Sequence, residues 1–246
     1  MHNQNTMYPG FVIFGQGRSG SNLLRTLLNS HPMIQCDNEL FNPGRLARKN
    51  LPNRFMIRIF PMFYIRNMQK RADAGIYGFK LFSFHHKNAG GIVIKLFRQG
   101  WKVIHIQRKN ILKQTFSGII GAQTQKYIRR DGNSSPDQIY HIECEQVINS
   151  LKFRNKQLEA EFKVLSEIKN YCSVIYENDL KDQNYWNETT QRIFRFIGIE
   201  PVEVKSSILI TDPRPDNERI ANFDEIISGL NKAGYTKVVE NYYKYL

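Results

Sequence analysis

Apolar residues along this chain fall into short unbroken runs separated by stretches that repeat at helical spacing. Phe11 to Phe14 is fully apolar and stops at Gly15, which reads as a buried strand feeding a loop. Leu23, Leu24, Leu27 and Leu28 then recur at helical spacing, and "NSHP" stops that helix before Pro32. "MIQC" (33–36), "YGFKLF" (77–82), "KVIHIQ" (102–107) and "CSVIYE" (172–177) read as further strands. Helical stretches lie between or after them, with a long one near Ile142 to Lys169. Strands alternating with helices predict an α/β fold, a parallel sheet with helices on both faces, and ligands beyond the carboxyl ends of its strands. The polar stretches 129–138 and 211–219 read as loops. With no repeat, low-complexity tract or linker, residues 1–246 are read as a single domain.

Composition narrows the class. At 246 residues, 41% hydrophobic and 23% charged, the chain has the make-up of a globular protein with a sizeable core. No apolar run approaches the ~18 residues of a membrane span, and the first ten residues lack a secretory profile. Cys36, Cys144 and Cys172 are scattered and form neither a disulfide framework nor a metal pair. A cytoplasmic protein is expected, unless a membrane anchor lies outside the sequence. The sequons at Asn133 and Asn187 are then chance matches.

Charge points to anionic ligands, because the net charge is +13. From Arg45 to Arg71 there are eight basic residues and no acid, interleaved with Phe55, Phe60, Phe63 and Tyr64. That segment reads either as a solvated helix face with an apolar underside or as a nucleic-acid surface. It fits no common nucleic-acid module.

The glycine turn after the first strand carries the chemistry. Gly15, Gly17 and Gly20 match a dinucleotide fingerprint, with Asp37 and Glu39 near the offset of a ribose acid, but Arg18 falls inside the tight turn. Gly15 and Gly20 also have P-loop spacing, but Ser21 stands where that loop needs lysine. A turn packed without ligand leaves Arg18, Ser19 and Ser21 at a helix start unexplained. The remaining reading is an anion held by backbone amides and both serines, with Arg18 as a fixed cation.

"GRSGSNLLRTLLNSHP" resembles the 5'-phosphosulfate loop of sulfotransferases that use 3'-phosphoadenosine 5'-phosphosulfate (PAPS), and looks closest to the carbohydrate and nodulation-type branch. The resemblance implies a P-loop-like three-layer domain, a central parallel β-sheet flanked by helices, with PAPS as co-substrate. It makes Gly17, Arg18, Ser19, Gly20, Ser21 and Asn22 the 5' site. "VIHIQRKNILKQTFSG" resembles the family's 3'-phosphate motif, with Arg108 at a strand end and Ser117 two turns into the next helix. "VIYENDL" resembles the stretch that sets a tyrosine, here Tyr176, beside the adenine. "RPDNERIANFDE" resembles a late loop closing over the nucleotide, with Arg214 or Arg219 as its cation. Leu46 to Asp73 and Gly121 to Lys169 match nothing in the family pattern.

Sulfuryl transfer is close in kind to phosphoryl transfer, so a cation near the leaving oxygen should matter most. Arg18 is the first candidate and Lys80 the second. An acceptor hydroxyl also needs a base within reach. The resemblance favours Glu39, just past a strand end, while His85 after the "GFKLF" strand is the rival. Asp37 reads as a turn or cap residue. No metal, nucleic acid or membrane span is expected, and the acceptor is read as a saccharide or small metabolite.

Overall fold

The computed structural model describes residues 10–124, 129–130, 138–206, 208–209 and 214–246. The Asn133 sequon, residues 131–137 of the first expected polar loop and residues 211–213 of the second lie outside the described residues. In chain order, β1 (Phe11–Gly15) feeds α1 (Ser21–Leu28), and β2 (Ile34–Glu39) leads to α2 (Pro43–Ala47), α3 (Leu51–Ile59) and α4 (Pro61–Lys70). Next come β3 (Ile76–Phe82), α5 (Ala89–Arg98), β4 (Lys102–Gln107) and α6 (Ile111–Thr124). A two-residue strand β5 (Arg129–Arg130) precedes the long α7 (Cys144–Ser166) and β6 (Cys172–Ile175). After β6 a π-helical turn, Tyr176–Leu180, leads to α8 (Trp186–Ile197). β7 (Ile208–Leu209) pairs antiparallel with β5, and α9 (Asp216–Arg219), α10 (Phe223–Lys232) and α11 (Thr236–Lys244) follow.

The main sheet has five parallel strands in the order β2-β3-β1-β4-β6. This is the α/β arrangement expected from the alternation of strands and helices, in the P-loop-like three-layer form that the resemblance implies. Its strands are apolar on both sides because each face is covered. Val12, Phe14, Tyr77, Phe79, Leu81 and Val103 point to the side of α5, while Phe11, Ile13, Ile104, Ile106 and Val174 pack with Leu24 and Leu27 of α1 and Phe194 of α8. A third core joins α6 and α7 to α10 and α11 through Phe116, Leu151, Ile226 and Tyr242.

Two local features shape the carboxyl edge of the sheet. At Gly15 a Cβ would lie 2.2 Å from the Ile106 carbonyl oxygen, so β1 can run this close to β4 only without a side chain. In β2 the pairing shifts between Asp37 and Glu39, which face Phe79 and Lys80. This bulge places one extra residue, Asn38, in β2. Without it, Asp37 and Glu39 would share a face. With it, Asp37 accepts the Tyr77 hydroxyl at 3.0 Å on the α5 side, and Glu39 turns to Lys80. Asp37 is therefore a strand residue, not the turn or cap expected from sequence.

The expected strand 172–177 stops at Ile175, because the chain turns into the π-helical segment at Tyr176. The Asp179 carboxylate accepts the Ile175 amide at 2.6 Å and holds that turn against the strand end. Asn187 sits in the first turn of α8, where its side chain accepts the Val204 amide at 2.9 Å.

Gly15→Ala should cost about 3 kcal/mol, because backbone meets backbone and no side chain can yield. Urea unfolding of this variant against wild type checks it; an unchanged midpoint would contradict the close β1–β4 approach.

Candidate active site

The side chains singled out in the sequence come from segments that leave the carboxyl ends of the strands. Residues 16–20 follow β1, Glu39 ends β2, His85 follows β3, Arg108 follows β4 and Tyr176 follows β6. A parallel sheet presents its ligand crevice at this edge.

The turn itself is tightly wound. Gly20 has φ 86 and caps α1, a left-handed conformation that suits glycine. Arg18 has φ 68, the one non-glycine residue with positive φ among those described. Such a conformation costs about 1–2 kcal/mol for a residue with a Cβ. The surroundings hold it there: the Arg18 carbonyl accepts Arg108 Nη1 at 3.2 Å, and Arg18 Nε donates to Ser117 Oγ at 2.9 Å. The buried Ser19 hydroxyl donates to the Gln16 carbonyl at 2.7 Å and closes the turn internally. Ser21 is buried at the first position of α1, and Asn22 accepts a hydrogen bond from Lys80.

Positive charge converges on this turn from three elements. Arg108 stacks its guanidinium 4.5 Å from the centre of the Tyr176 ring, and its Nε lies 3.7 Å from Glu177. Glu177 is itself fixed by the backbone amides of Lys109 and Asn110, at 2.8 and 3.0 Å, ahead of α6. The third arginine is Arg154 of α7, whose two terminal nitrogens each donate at 3.3 Å, to the carbonyls of Gly17 and Gln114. Gln114 also donates to the Gly17 carbonyl, at 2.8 Å. Burial lowers the pKa of Arg108. Burial, with the repulsion of Arg18 and Arg108, lowers Arg154 to about 10, so it stays charged at neutral pH. The Nε atoms of Arg108 and Arg154 are buried without a hydrogen-bond partner among the described residues. Buried donors of this kind call for an acceptor. Arg18, which the resemblance gives to the 5' site, and Ser117, which it gives to the 3' site, are in direct contact.

Beside this surface lies a second cluster. Lys80 is fully buried, pairs with Glu39 Oε1 at 2.6 Å and donates to Asn22 on α1. Burial lowers its pKa, with the Glu39 carboxylate pulling the other way. Lys80 is thus no solvent-facing strand-edge lysine. His85 packs its ring against Phe82 and Phe84, with centroids 4.9 and 4.6 Å away. Burial pushes its pKa down to about 4, opposed by Glu39 and reinforced by Lys80. Its imidazole is neutral near pH 7, and its buried Nδ1 has no partner among the described residues. His86 is engaged elsewhere, 3.1 Å from the Arg58 carbonyl.

Tyr176 lies over the turn: a Cβ on Gly20 would be 2.6 Å from its ring. Of the two late arginines, Arg214 donates to the Gln138 carbonyl at 3.1 Å. Arg219 is buried in a network with Asp216, whose other oxygen accepts the Tyr242 hydroxyl at 2.9 Å. Both Asp216 and Arg219 act electrostatically on Arg108. Among the described residues no group of three or more His, Cys, Asp or Glu could hold a metal ion. No described helix is long and apolar enough to cross a membrane.

Arg154, Gln114 and Glu177 were missed by motif reading. For Arg154 a signal existed. Val147, Leu151, Arg154, Leu158, Glu161 and Leu165 follow one another at intervals of three and four, so two charges interrupt the inward stripe of α7. Glu161 is the other. Its carboxylate accepts the Ser83 hydroxyl at 2.8 Å and lies 3.3 Å from His105, tying α7 to β3 and β4. That tie fixes where Arg154, two turns earlier, enters the site.

A family model described as the sulfotransferase family matches residues 9–58, which span the glycine turn, α1, Glu39 and most of α3. The crystal structure of a sulfotransferase from Alicyclobacillus acidocaldarius has a similar fold, with TM-score 0.53 and 12% identity over 95% of this chain and 94% of that one. The sulfotransferase domain of the Synechococcus PCC 7002 olefin synthase gives TM-score 0.48 and 14% identity, over 81% of this chain and 75% of that one. No curated protein sequence matches. At 12% identity the likeness to the Alicyclobacillus structure shows a shared fold, the P-loop-like arrangement of a parallel sheet between helices.

His85 sets a pH dependence of stability. The unfolded chain takes up a proton near pH 6.5, the folded chain only near 4, so stability is complete above pH 6.5 and falls as pH drops toward 4. Between pH 7.5 and 5, wild type should lose about 2 kcal/mol more than His85→Gln in urea unfolding. Equal losses would place His85 in a solvated setting.

Proposed function

We propose that this protein is a sulfotransferase that moves the sulfuryl group of PAPS to a hydroxyl of a saccharide or small-metabolite acceptor. The observation that carries the reading is the meeting of Arg18, Arg108 and Arg154 at the start of α1, with the Nε atoms of Arg108 and Arg154 buried and without a hydrogen-bond partner among the described residues. The fit to an anionic nucleotide rests on those donors and on Gly20, where a side chain would collide with Tyr176.

The amides of residues 17–22 and Arg18 would hold the 5' end of the donor, Arg108 and Ser117 its 3'-phosphate, and Tyr176 its adenine. Arg154 is added to this set as a third cation between the two ends. Arg214 is retained as the cation of the late loop. When bound, the donor supplies an electrophilic sulfur and a phosphate leaving group on which negative charge grows. Arg18 would stabilise that charge, and Lys80, held by Glu39 and Asn22, would supply a second cation. Glu39 takes the proton of the acceptor hydroxyl, and its pairing with Lys80 fixes its orientation. Neutral His85, beside this pair, orients the acceptor through its free nitrogen. The net charge of +13 draws in a polyanionic donor.

Adenosine 3',5'-bisphosphate should raise the melting temperature without magnesium, and far more than ATP, NAD or duplex DNA does. Arg108→Ala and Arg154→Met should each weaken this binding by about tenfold or more. Arg154→Met should leave the apo protein as stable as wild type or more so, because it removes a buried like charge. Magnesium-dependent stabilisation by ATP would instead assign a kinase-like P-loop protein.

Glu39→Gln should bind the bisphosphate normally and lower kcat by about a hundredfold or more, since it removes both the base and the carboxylate that pairs with Lys80. Single-turnover kinetics with a donor-loaded enzyme measure this. Full activity in Glu39→Gln, with loss in His85→Ala, would transfer the base to His85.

A further inference from the structure

The basic segment Arg45–Arg71 is absorbed by none of the roles above. It forms α2, α3 and α4 on the α5 side of the sheet, held by Leu46, Ile57 and Ile65, which are buried in the core there. On α3, Leu51, Phe55 and Ile59 succeed one another a turn apart on the side opposite Ile57. They are 75%, 64% and 49% exposed, and Met56, Phe60 and Phe63 beside them are also open to solvent. Arg54 and Arg58 flank this apolar face on α3. On α4, Phe63, Arg66 and Lys70 lie on the exposed side, away from buried Ile65 and Gln69. The sequence reading expected an apolar underside with a charged outer face. The underside is present, but the outer face is apolar as well, with cations along its edges.

We propose that α3 and α4 form a docking surface for an anionic lipid bilayer. A helix with an exposed apolar face bordered by arginine and lysine lies in the plane of a membrane interface, with its apolar side chains among the acyl chains and its cations at the headgroups. The absence of any acid between Arg45 and Arg71 suits a negative surface along the whole segment. A second copy of the chain fits poorly, because a two-fold contact would set these cations against their own counterparts. Nucleic acid fits less well, because Leu51, Met56 and Ile59 stand exposed among the rings of Phe55, Phe60 and Phe63, and such aliphatic side chains gain nothing from bases or phosphates but do gain from acyl chains. Phe41, whose ring packs against both Tyr64 and His86, and the contact of His86 with the Arg58 carbonyl tie this surface to the chain segments just after Glu39 and His85.

Co-sedimentation of the intact protein with vesicles tests this, using phosphatidylglycerol mixed into phosphatidylcholine against phosphatidylcholine alone. Wild type should bind the anionic vesicles and weaken as salt rises. Phe55→Ser with Phe63→Ser should reduce binding about tenfold or more, with net charge and unfolding midpoint unchanged, since both side chains are exposed. Arg54→Gln with Arg58→Gln should reduce binding and its salt dependence. Failure to bind, or equal binding by wild type and the double-serine variant, would overturn the proposal. So would a self-association in lipid-free sedimentation velocity, or a duplex-DNA affinity, that the double-serine variant abolishes. These readouts do not depend on sulfuryl transfer.

Discussion

Three guanidinium groups share one small region at the carboxyl edge of the sheet, and their mutual repulsion is the constraint around which the site is built. Within a low-dielectric interior like charges interact strongly, and here burial first, then Arg18 and Arg108, lower the pKa of Arg154. Glu177 compensates Arg108 in part. Arg154 has only carbonyl partners among the described residues, those of Gly17 and Gln114. A fold that keeps such an excess of charge loses stability in the free protein and gains it when a polyanion binds. The left-handed Arg18 belongs to the same arrangement, since its carbonyl turns toward Arg108 and its side chain toward Ser117.

The rest of the architecture positions those charges. Parallel strands bring the ends of β1, β2, β3, β4 and β6 to one edge, and the missing side chain at Gly15 lets β1 and β4 close up. The bulge in β2 sends Glu39 to Lys80 while Asp37 stays with Tyr77 on the other side. The Ser83–Glu161–His105 network locks α7 to two strands and so fixes Arg154. Site and scaffold are linked by a few buried polar contacts, each of which would be costly to leave unmatched.

The alternating pattern made the sheet legible, because each strand is a short apolar run and each face is covered. The turn after β1 and the arginine after β4 were legible for a related reason: both follow a strand directly, where local sequence dictates geometry. Arg154 was not, because its contact with Gly17 spans most of the chain and no local motif encodes it. Its trace was a charge within an apolar stripe, which a motif search passes over. The choice of face for Glu39 was equally hidden, since one extra residue in a strand leaves no compositional mark. The π-helical turn at Tyr176 escaped for the opposite reason: "CSVIYE" is a good strand sequence, and the Asp179 hydrogen bond overrides it.

The most direct measurement of the central claim is a crystal structure of the protein soaked with adenosine 3',5'-bisphosphate. The account predicts one phosphate on the backbone amides of residues 17–22 beside Arg18, and the other within hydrogen-bonding distance of Arg108 and Ser117, with Arg154 turned toward the ligand. A bisphosphate bound elsewhere, or three guanidinium groups left on their protein partners with no phosphate among them, would contradict it.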